Sequence, residues 1–410
     1  MEYGLIGEKL GHSFSKEIHE RISTYKYQIC EVSKEDFDNF MITRDFKAIN
    51  VTIPYKEKVI PYLDFIDNIA KEIGAVNTIV NKNGKLFGYN TDFYGLKSLI
   101  EKNDIDINNK KVLILGTGGT SKTANAVAKS LNAREIIFAS INNEPGTVSY
   151  DEAIDNHKDT EVIINTTPCG MYPNNDGLII DINNFPKLTS ICDVVYNPLR
   201  TTLIQNGIKK GLKVASGLYM LVGQAVYASG IFKDEKVSLD IIDEVFNEIY
   251  QNKQNIILIG MPSCGKSTIG KLLSEKLNKE YIDSDNLIEE ELKMPIKNFL
   301  TADNEKEFRD IEELVIEKIA KGSNLVISTG GGVIKRPINI ERLKKNGKII
   351  FIDRDLEKLI PTNDRPLSSN IENLKKLYNE RYHIYQSSAD IIVKNNDNIN
   401  DVVSEIEKEV

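Results

Sequence analysis

The chain has 410 residues, 41 % of them apolar and 27 % charged. That length exceeds what one core serves and that composition excludes intrinsic disorder, so two or three ordinary domains are expected. The net charge of -8 is spread along the chain without a block of Lys and Arg, and there is no long apolar run and no basic-then-apolar leader; a nucleic-acid face and a membrane segment are not expected, and the expected location is the cytoplasm.

In chain order, Tyr3 to Gly7 reads as a strand, and clusters of small polar residues follow it. Gly11-His12-Ser13-Phe14-Ser15 precedes a helix, Asn50-Val51-Thr52-Ile53-Pro54-Tyr55-Lys56-Glu57 ends a strand, Gly74 to Thr78 enters another, and Gly88-Tyr89-Asn90-Thr91-Asp92 opens a helix. Asn and Asp gather over 104–110 and mark a lesser boundary. Beyond it the strand Val112 to Leu115 runs into Gly116-Thr117-Gly118-Gly119-Thr120-Ser121 and an Ala-rich helix. Such glycines let backbone N–H groups approach a pyrophosphate at a helix N-terminus, although ordinary strand-to-helix turns share the pattern.

The next strand, Ile136 to Phe138, ends in Ala139-Ser140-Ile141-Asn142-Asn143. An acidic residue there marks NAD and a basic one NADP. The stretch holds neither; the absent carboxylate favours NADP(H), with NAD(H) left open and Ser140, Asn142 and Lys122 as donors to a phosphate. A strand at Val162 to Ile164 leads to Asn165-Thr166-Thr167-Pro168-Cys169-Gly170-Met171. Asp193 to Pro198 and Gly217 to Gln224 complete this half.

A polar stretch at 247–254 closes a helical pattern, and a fresh strand, Ile256 to Ile259, runs into Gly260-Met261-Pro262-Ser263-Cys264-Gly265-Lys266-Ser267-Thr268. This is the phosphate-loop pattern in its required strand-to-helix setting: backbone N–H groups cradle phosphates, Lys266 reaches the β and γ oxygens, and Ser267 ligates Mg2+. Later strands at Leu325 to Ile327 and Ile349 to Ile352 keep β-branched runs alternating with helical segments, which signals parallel sheets covered by helices on both faces and an α/β fold. The four cysteines, Cys30, Cys169, Cys192 and Cys264, lack metal-site spacing and are expected as free thiols.

The motifs of the first half resemble, in order and content, those of shikimate dehydrogenases. The resemblance implies Lys56 and Asp92 as the acid–base pair. Ser13, Ser15, Thr52, Asn77, Tyr196 and Gln224 would hold substrate. Gly116, Gly118, Gly119, Thr120, Ser140, Val194, Gly217 and Met220 would hold the NADP. Where the family carries an arginine after the second dinucleotide strand, Ile141 stands here. The chemistry agrees: reducing a ketone needs a proton donor at the forming oxyanion, and a lysine ammonium oriented by a carboxylate supplies it.

The second half is similar to shikimate kinases through the phosphate loop, Tyr281-Ile282-Asp283-Ser284-Asp285, Asn304 to Arg309, Ser328 to Val333, Arg365-Pro366-Leu367 and Arg381-Tyr382. That similarity implies ATP at Ser263, Cys264, Gly265, Lys266, Ser267 and Thr268, and Mg2+ at Ser267 and Asp283. It makes Asp285 the base, Arg309 and Arg381 a carboxylate clamp, Gly330, Gly331 and Gly332 a platform for the ring, and Arg365 a lid group at the transferring phosphoryl. A planar guanidinium matches a carboxylate with two hydrogen bonds.

The expected architecture is α/β: a substrate lobe over 1–103, a Rossmann lobe over 104–250, and a P-loop kinase domain with a parallel sheet over 255–410. The expected activities are NADP(H)-dependent reduction of 3-dehydroshikimate and ATP-dependent 3-phosphorylation of shikimate, with small molecules as the partners and a monomer as the expected state. Quinate or another polyol acid as acceptor, and a non-catalytic ligand sensor, are the alternatives. Retention of Lys56, Asp92, Lys266 and Asp285 argues against the sensor.

Overall fold

A computed structural model describes residues 1–410 apart from His12, Asn143, Val237, 301–303 and 361–369. The chain divides into two compact units, Met1–Ile249 and Tyr250–Val410.

The first lobe of unit one runs β1 (Tyr3–Gly7), α1 (Ser15–Ile22), β2 (Tyr27–Glu31), α2 (Phe37–Thr43), β3 (Ala48–Val51), β4 (Phe65–Ile66), α3 (Asn68–Ile73), β5 (Thr78–Lys82), β6 (Lys85–Tyr89) and α4 (Asp92–Lys102). Its six strands lie in the order β2-β1-β3-β5-β6-β4. This sheet, which the strands behind the parallel-sheet expectation do not include, is mixed: β5 pairs antiparallel with both β3 and β6. Between β5 and β6, Asn83 (φ 55°) and Gly84 (φ 82°) both adopt positive φ. That is the conformation a two-residue hairpin requires and Asn-Gly accepts.

The second lobe contains β7 (Lys111–Leu115), α5 (Gly119–Ser130), β8 (Glu135–Ala139), α6 (Tyr150–Asn156), β9 (Val162–Asn165), β10 (Ser190–Asp193), α7 (Thr202–Lys209), β11 (Lys213–Ser216), α8 (Leu218–Lys233) and α9 (Ile241–Lys253). Its sheet is parallel throughout, ordered β11-β10-β9-β7-β8. The residues of β7 and β9 are all buried, as strands covered on both faces must be. Strand order reverses direction at β7, where a crevice opens at the carboxyl ends. The division between the two units falls inside α9, so the polar stretch at 247–254 is largely helical.

Unit two comprises β12 (Asn255–Ile259), α10 (Lys266–Leu277), β13 (Glu280–Asp283), α11 (Ser284–Leu292), α12 (Ile296–Phe299), α13 (Glu305–Ala320), β14 (Leu325–Ser328), α14 (Pro337–Asn346), β15 (Gly347–Asp353), α15 (Ile371–Ser388), β16 (Ile391–Lys394) and α16 (Ile399–Glu409). Its parallel sheet is ordered β13-β14-β12-β15-β16, which puts the phosphate-loop strand at the centre. No helix among the described residues is long and apolar enough to cross a membrane. All four cysteines are free thiols.

One buried group makes unit one sensitive to acid. His19 of α1 is fully buried, stacked on Tyr27 with ring centroids 4.0 Å apart and with Nδ1 2.7 Å from the Tyr25 hydroxyl. Burial pushes its pKa from 6.5 down to about 3. Between those values the unfolded chain binds the proton and the folded chain does not, so stability falls as pH falls. For this group alone the loss between about pH 7 and about pH 5 is about 2 kcal/mol. His19→Gln is expected to flatten that part of the profile; urea midpoints at both pH values check it, and equal slopes in parent and variant would acquit His19.

Candidate active sites

Unit one encloses a cavity of about 710 Å3. Its walls bring together Ser13, Ser15, Thr52, Lys56, Asn77, Asp92, Thr120, Val194, Tyr196, Gly217, Met220 and Gln224, twelve of the residues singled out in the sequence. At its centre Lys56 Nζ lies 2.6 Å from Asp92 Oδ2, with side-chain exposures of 15 % and 10 %. Lys56 sits just past β3, and Asp92 is the first residue of α4, where the helix dipole favours a carboxylate. So little exposure keeps water from screening the pair, and removing either partner leaves an uncompensated charge.

Hydrogen bonds fix the surrounding side chains before any ligand arrives. Asn77 Nδ2 donates to Thr91 Oγ1 (3.0 Å), Asn77 Oδ1 accepts from Thr91 N (2.7 Å), and Thr91 Oγ1 lies 3.5 Å from Gln224 Oε1. Behind them Tyr27 donates to Asn50, whose Nδ2 reaches Thr78. Ser13 Oγ donates to Ser15 Oγ (3.0 Å). Burial raises the Tyr196 phenol above its ordinary pKa against the pull of a hydrogen bond with Ser13. At the end of β10, Asp193 accepts from Thr201, Asn165 and Val195 N and so shapes the turn that carries Val194. Burial outweighs those bonds and brings its carboxyl to about 6.

The dinucleotide turn stands beside the lysine: a Cβ on Gly119 would sit 3.7 Å from Lys56 Cδ, and a Cβ on Gly118 would meet nothing within 4 Å. Gly116 takes φ 102°, which a side chain resists. This turn at the N-terminus of α5 suits a pyrophosphate, with a hydride donor next to the ammonium. Ser140, at the end of β8, is not among the residues lining that cavity; it is buried and accepts from Asn142 N, and Lys122 is paired with Glu57 at 2.8 Å.

In unit two the phosphate loop follows β12, with Ser263 (φ 65°) and Gly265 (φ 100°) turning its backbone. Lys266 Nζ lies within it, donating to the carbonyls of Gly260 (2.9 Å) and Met261 (3.0 Å). Ser267 Oγ donates to Asp283 Oδ2 at 2.9 Å, so a hydroxyl and a carboxylate converge where oxygen ligands for Mg2+ are wanted. Cys264 is buried in the loop, its carbonyl accepting from Asn395 Nδ2 (2.7 Å) at the end of β16.

Beyond the loop, Asp285, Arg309, Arg381 and the glycines after β14 converge. A Cβ on Gly330 would overlap the Asp285 carboxylate, and one on Gly332 the Arg309 guanidinium, so a side chain at either would push that group aside. Arg309 Nη1 donates to the buried Glu312 (2.8 Å), and Arg381 Nη1 donates to the Gly331 carbonyl (2.9 Å). The Nε of each arginine is buried without a hydrogen-bond partner among the described residues. Arg381 Nε also lies 3.8 Å from Glu380 Oε1; guanidinium donors without a hydrogen bond suit a carboxylate ligand. Burial raises the Glu312 carboxyl above its ordinary pKa, opposed by Arg309 and reinforced by the charge of Asp285. Arg365 lies outside the described residues.

Fold and sites together define the class: an oxidoreductase of the dinucleotide-binding kind and a phosphate-loop phosphotransferase in one chain. Comparison with known proteins gives the family. Residues 5–79 match the family model for the shikimate dehydrogenase substrate binding domain, and 262–410 that for shikimate kinase. Shikimate dehydrogenase (NADP(+)) of Clostridium perfringens is 38 % identical over 266 residues, covering 60 % of this chain and 97 % of that protein. Shikimate dehydrogenase 1 from Peptoclostridium difficile is 36 % identical with a TM-score of 0.56, over 61 % of this chain and 98 % of that one. A chorismate mutase/shikimate 5-dehydrogenase fusion protein from Clostridium acetobutylicum matches at 36 % identity and TM-score 0.56, over 60 % and 96 %. The chain belongs to the shikimate dehydrogenase family and carries a shikimate kinase domain behind it. It is a bifunctional enzyme of the shikimate pathway.

Thr91, Asp193, Glu312 and Asn395 are the site residues the sequence reading missed. Thr91 and Asp193 lie inside motifs read from the sequence without a role given to them, Glu312 carries a spacing signal three residues after Arg309 on α13, and Asn395 carries none. Asn395→Ala removes a buried hydrogen bond to the phosphate loop and is expected to raise the KM for ATP about five- to tenfold. Steady-state kinetics on the full chain check this, with shikimate oxidation expected to stay at the parent rate.

Proposed function

We propose that unit one reduces 3-dehydroshikimate to shikimate with NADPH and that unit two transfers the γ-phosphoryl group of ATP to the 3-hydroxyl of shikimate. The observation that carries the first step is the 2.6 Å Lys56–Asp92 pair inside a cavity lined by hydroxyl and amide side chains. NADPH supplies the hydride. Lys56 stabilises the oxygen that gains charge and gives it a proton, and Asp92 orients the ammonium. Ser13, Ser15, Thr52, Asn77, Tyr196 and Gln224 hold the hydroxyls and carboxylate of the ring. Gly116, Gly118, Gly119, Thr120, Val194, Gly217 and Met220 seat the dinucleotide, and the likeness to the shikimate dehydrogenase (NADP(+)) of Clostridium perfringens supports NADP as that dinucleotide.

In unit two, Asp285 takes the proton of the attacking hydroxyl while Arg309 and Arg381 hold the carboxylate. Lys266 and the backbone of 263–268 neutralise the phosphates, and Ser267 with Asp283 holds Mg2+. The orphan Nε donors of both arginines support an acidic acceptor. Lys56→Ala in the full chain is expected to slow shikimate oxidation by about 10²–10⁴-fold and to leave ATP-dependent phosphorylation intact; Asp285→Asn is expected to do the converse. Paired assays of both activities on each variant test this. Parent turnover of quinate in preference to shikimate would overturn the assigned substrate.

A further inference from the structure

The loop after β8 holds a carboxylate that the strand end itself lacks. Ser140 and Val148 are held together past the end of β8 by Ser140 N→Val148 O (2.9 Å) and Val148 N→Phe138 O (2.8 Å). Inside this loop Thr147 binds the carbonyl of Glu144 twice, through its N–H (3.0 Å) and its hydroxyl (2.7 Å). So anchored, Glu144 turns its carboxylate toward the glycine turn, where Oε1 accepts from Thr117 Oγ1 at 3.1 Å. The space between a glycine turn and the end of the second strand is where a dinucleotide fold seats the adenosine ribose, and an acidic residue there accepts the 2′-hydroxyl.

Positive charge to balance a 2′-phosphate is scarce at this spot. Residues 139–149 contain no Lys or Arg. Ile141 is apolar and 79 % exposed, and Lys122, on the helix that follows the glycine turn, pairs with Glu57 in an exposed ion pair. A phosphate brought beside Glu144 would meet a like charge that no Lys or Arg of the 139–149 stretch offsets.

We infer that Glu144 is a specificity-determining residue of the dinucleotide site: it accepts the ribose 2′-hydroxyl and works against a 2′-phosphate, so the dehydrogenase takes NAD(H) alongside NADP(H). This rests on the dehydrogenase reading of the same cavity. Calorimetric titration of the full chain with NAD⁺ and NADP⁺, and with 5′-AMP and 2′,5′-ADP, which differ at the same phosphate, tests it without reference to turnover. Glu144→Gln is expected to shift the ratio of dissociation constants about tenfold toward the 2′-phosphorylated ligands. Ile141→Arg, on an exposed side chain, is expected to shift it the same way. Unchanged ratios in Glu144→Gln, with both dinucleotides still bound, overturn the role of Glu144. Failure of the parent chain to bind either dinucleotide overturns the dehydrogenase reading itself, and this inference with it.

Discussion

Charges taken out of water must be paired, and the first unit is arranged around one such pair. Lys56 and Asp92 lie far apart in sequence and meet because β3 and β6 run in the same direction in the mixed sheet, Lys56 following the end of β3 and α4 starting at Asp92 just after β6. With both side chains largely covered, each holds the other in place and neither is free to wander toward solvent. The polar residues around them obey the same rule. Asn50, Asn77, Thr78 and Thr91 satisfy one another so completely that the cavity wall is set by the protein and not by its ligand. A preset wall lowers the cost of ordering groups on binding and aims the lysine proton at one place.

The second unit meets the constraint differently. Arg309 is paired with Glu312 in the core of the site, yet its Nε, like that of Arg381, makes no hydrogen bond among the described residues. Pairing lowers the cost of burying the guanidinium, and the orphan donors reserve affinity for an incoming carboxylate. In the parallel sheets of both units the chemistry leaves from carboxyl ends: the glycine turn after β7, the Val194 turn after β10, the phosphate loop after β12 and the glycines after β14. A parallel sheet covered by helices offers little other place for polar groups to gather.

Much of this was legible in the sequence, for physical reasons that differ by element. Strands such as β7, β9, β12 and β14 announce themselves because both faces are buried and the run must be apolar. The motif residues were legible because glycine, lysine and arginine there answer to chemistry that few other residues perform. What escaped was one local hairpin signal and several residues that depend on tertiary placement. Asn83-Gly84 turns β6 antiparallel in a chain that otherwise reads as parallel. Glu312 hides among the acidic residues of α13, of which it alone is buried. Asn395 touches the phosphate loop from 131 residues away. Glu144 lies past the strand end where an acidic residue is looked for, and only the loop's return brings it back to the glycine turn.

The most direct measurement supplies the intact chain with 3-dehydroshikimate, NADPH, ATP and Mg2+ and follows the products by phosphorus NMR and mass spectrometry. The account predicts that one mole of NADPH and one mole of ATP are consumed for each mole of shikimate phosphorylated at the 3-hydroxyl, with no phosphate ester formed when NADPH is withheld. Accumulation of shikimate with ATP untouched, or phosphorylation of the dehydro compound itself, would contradict it.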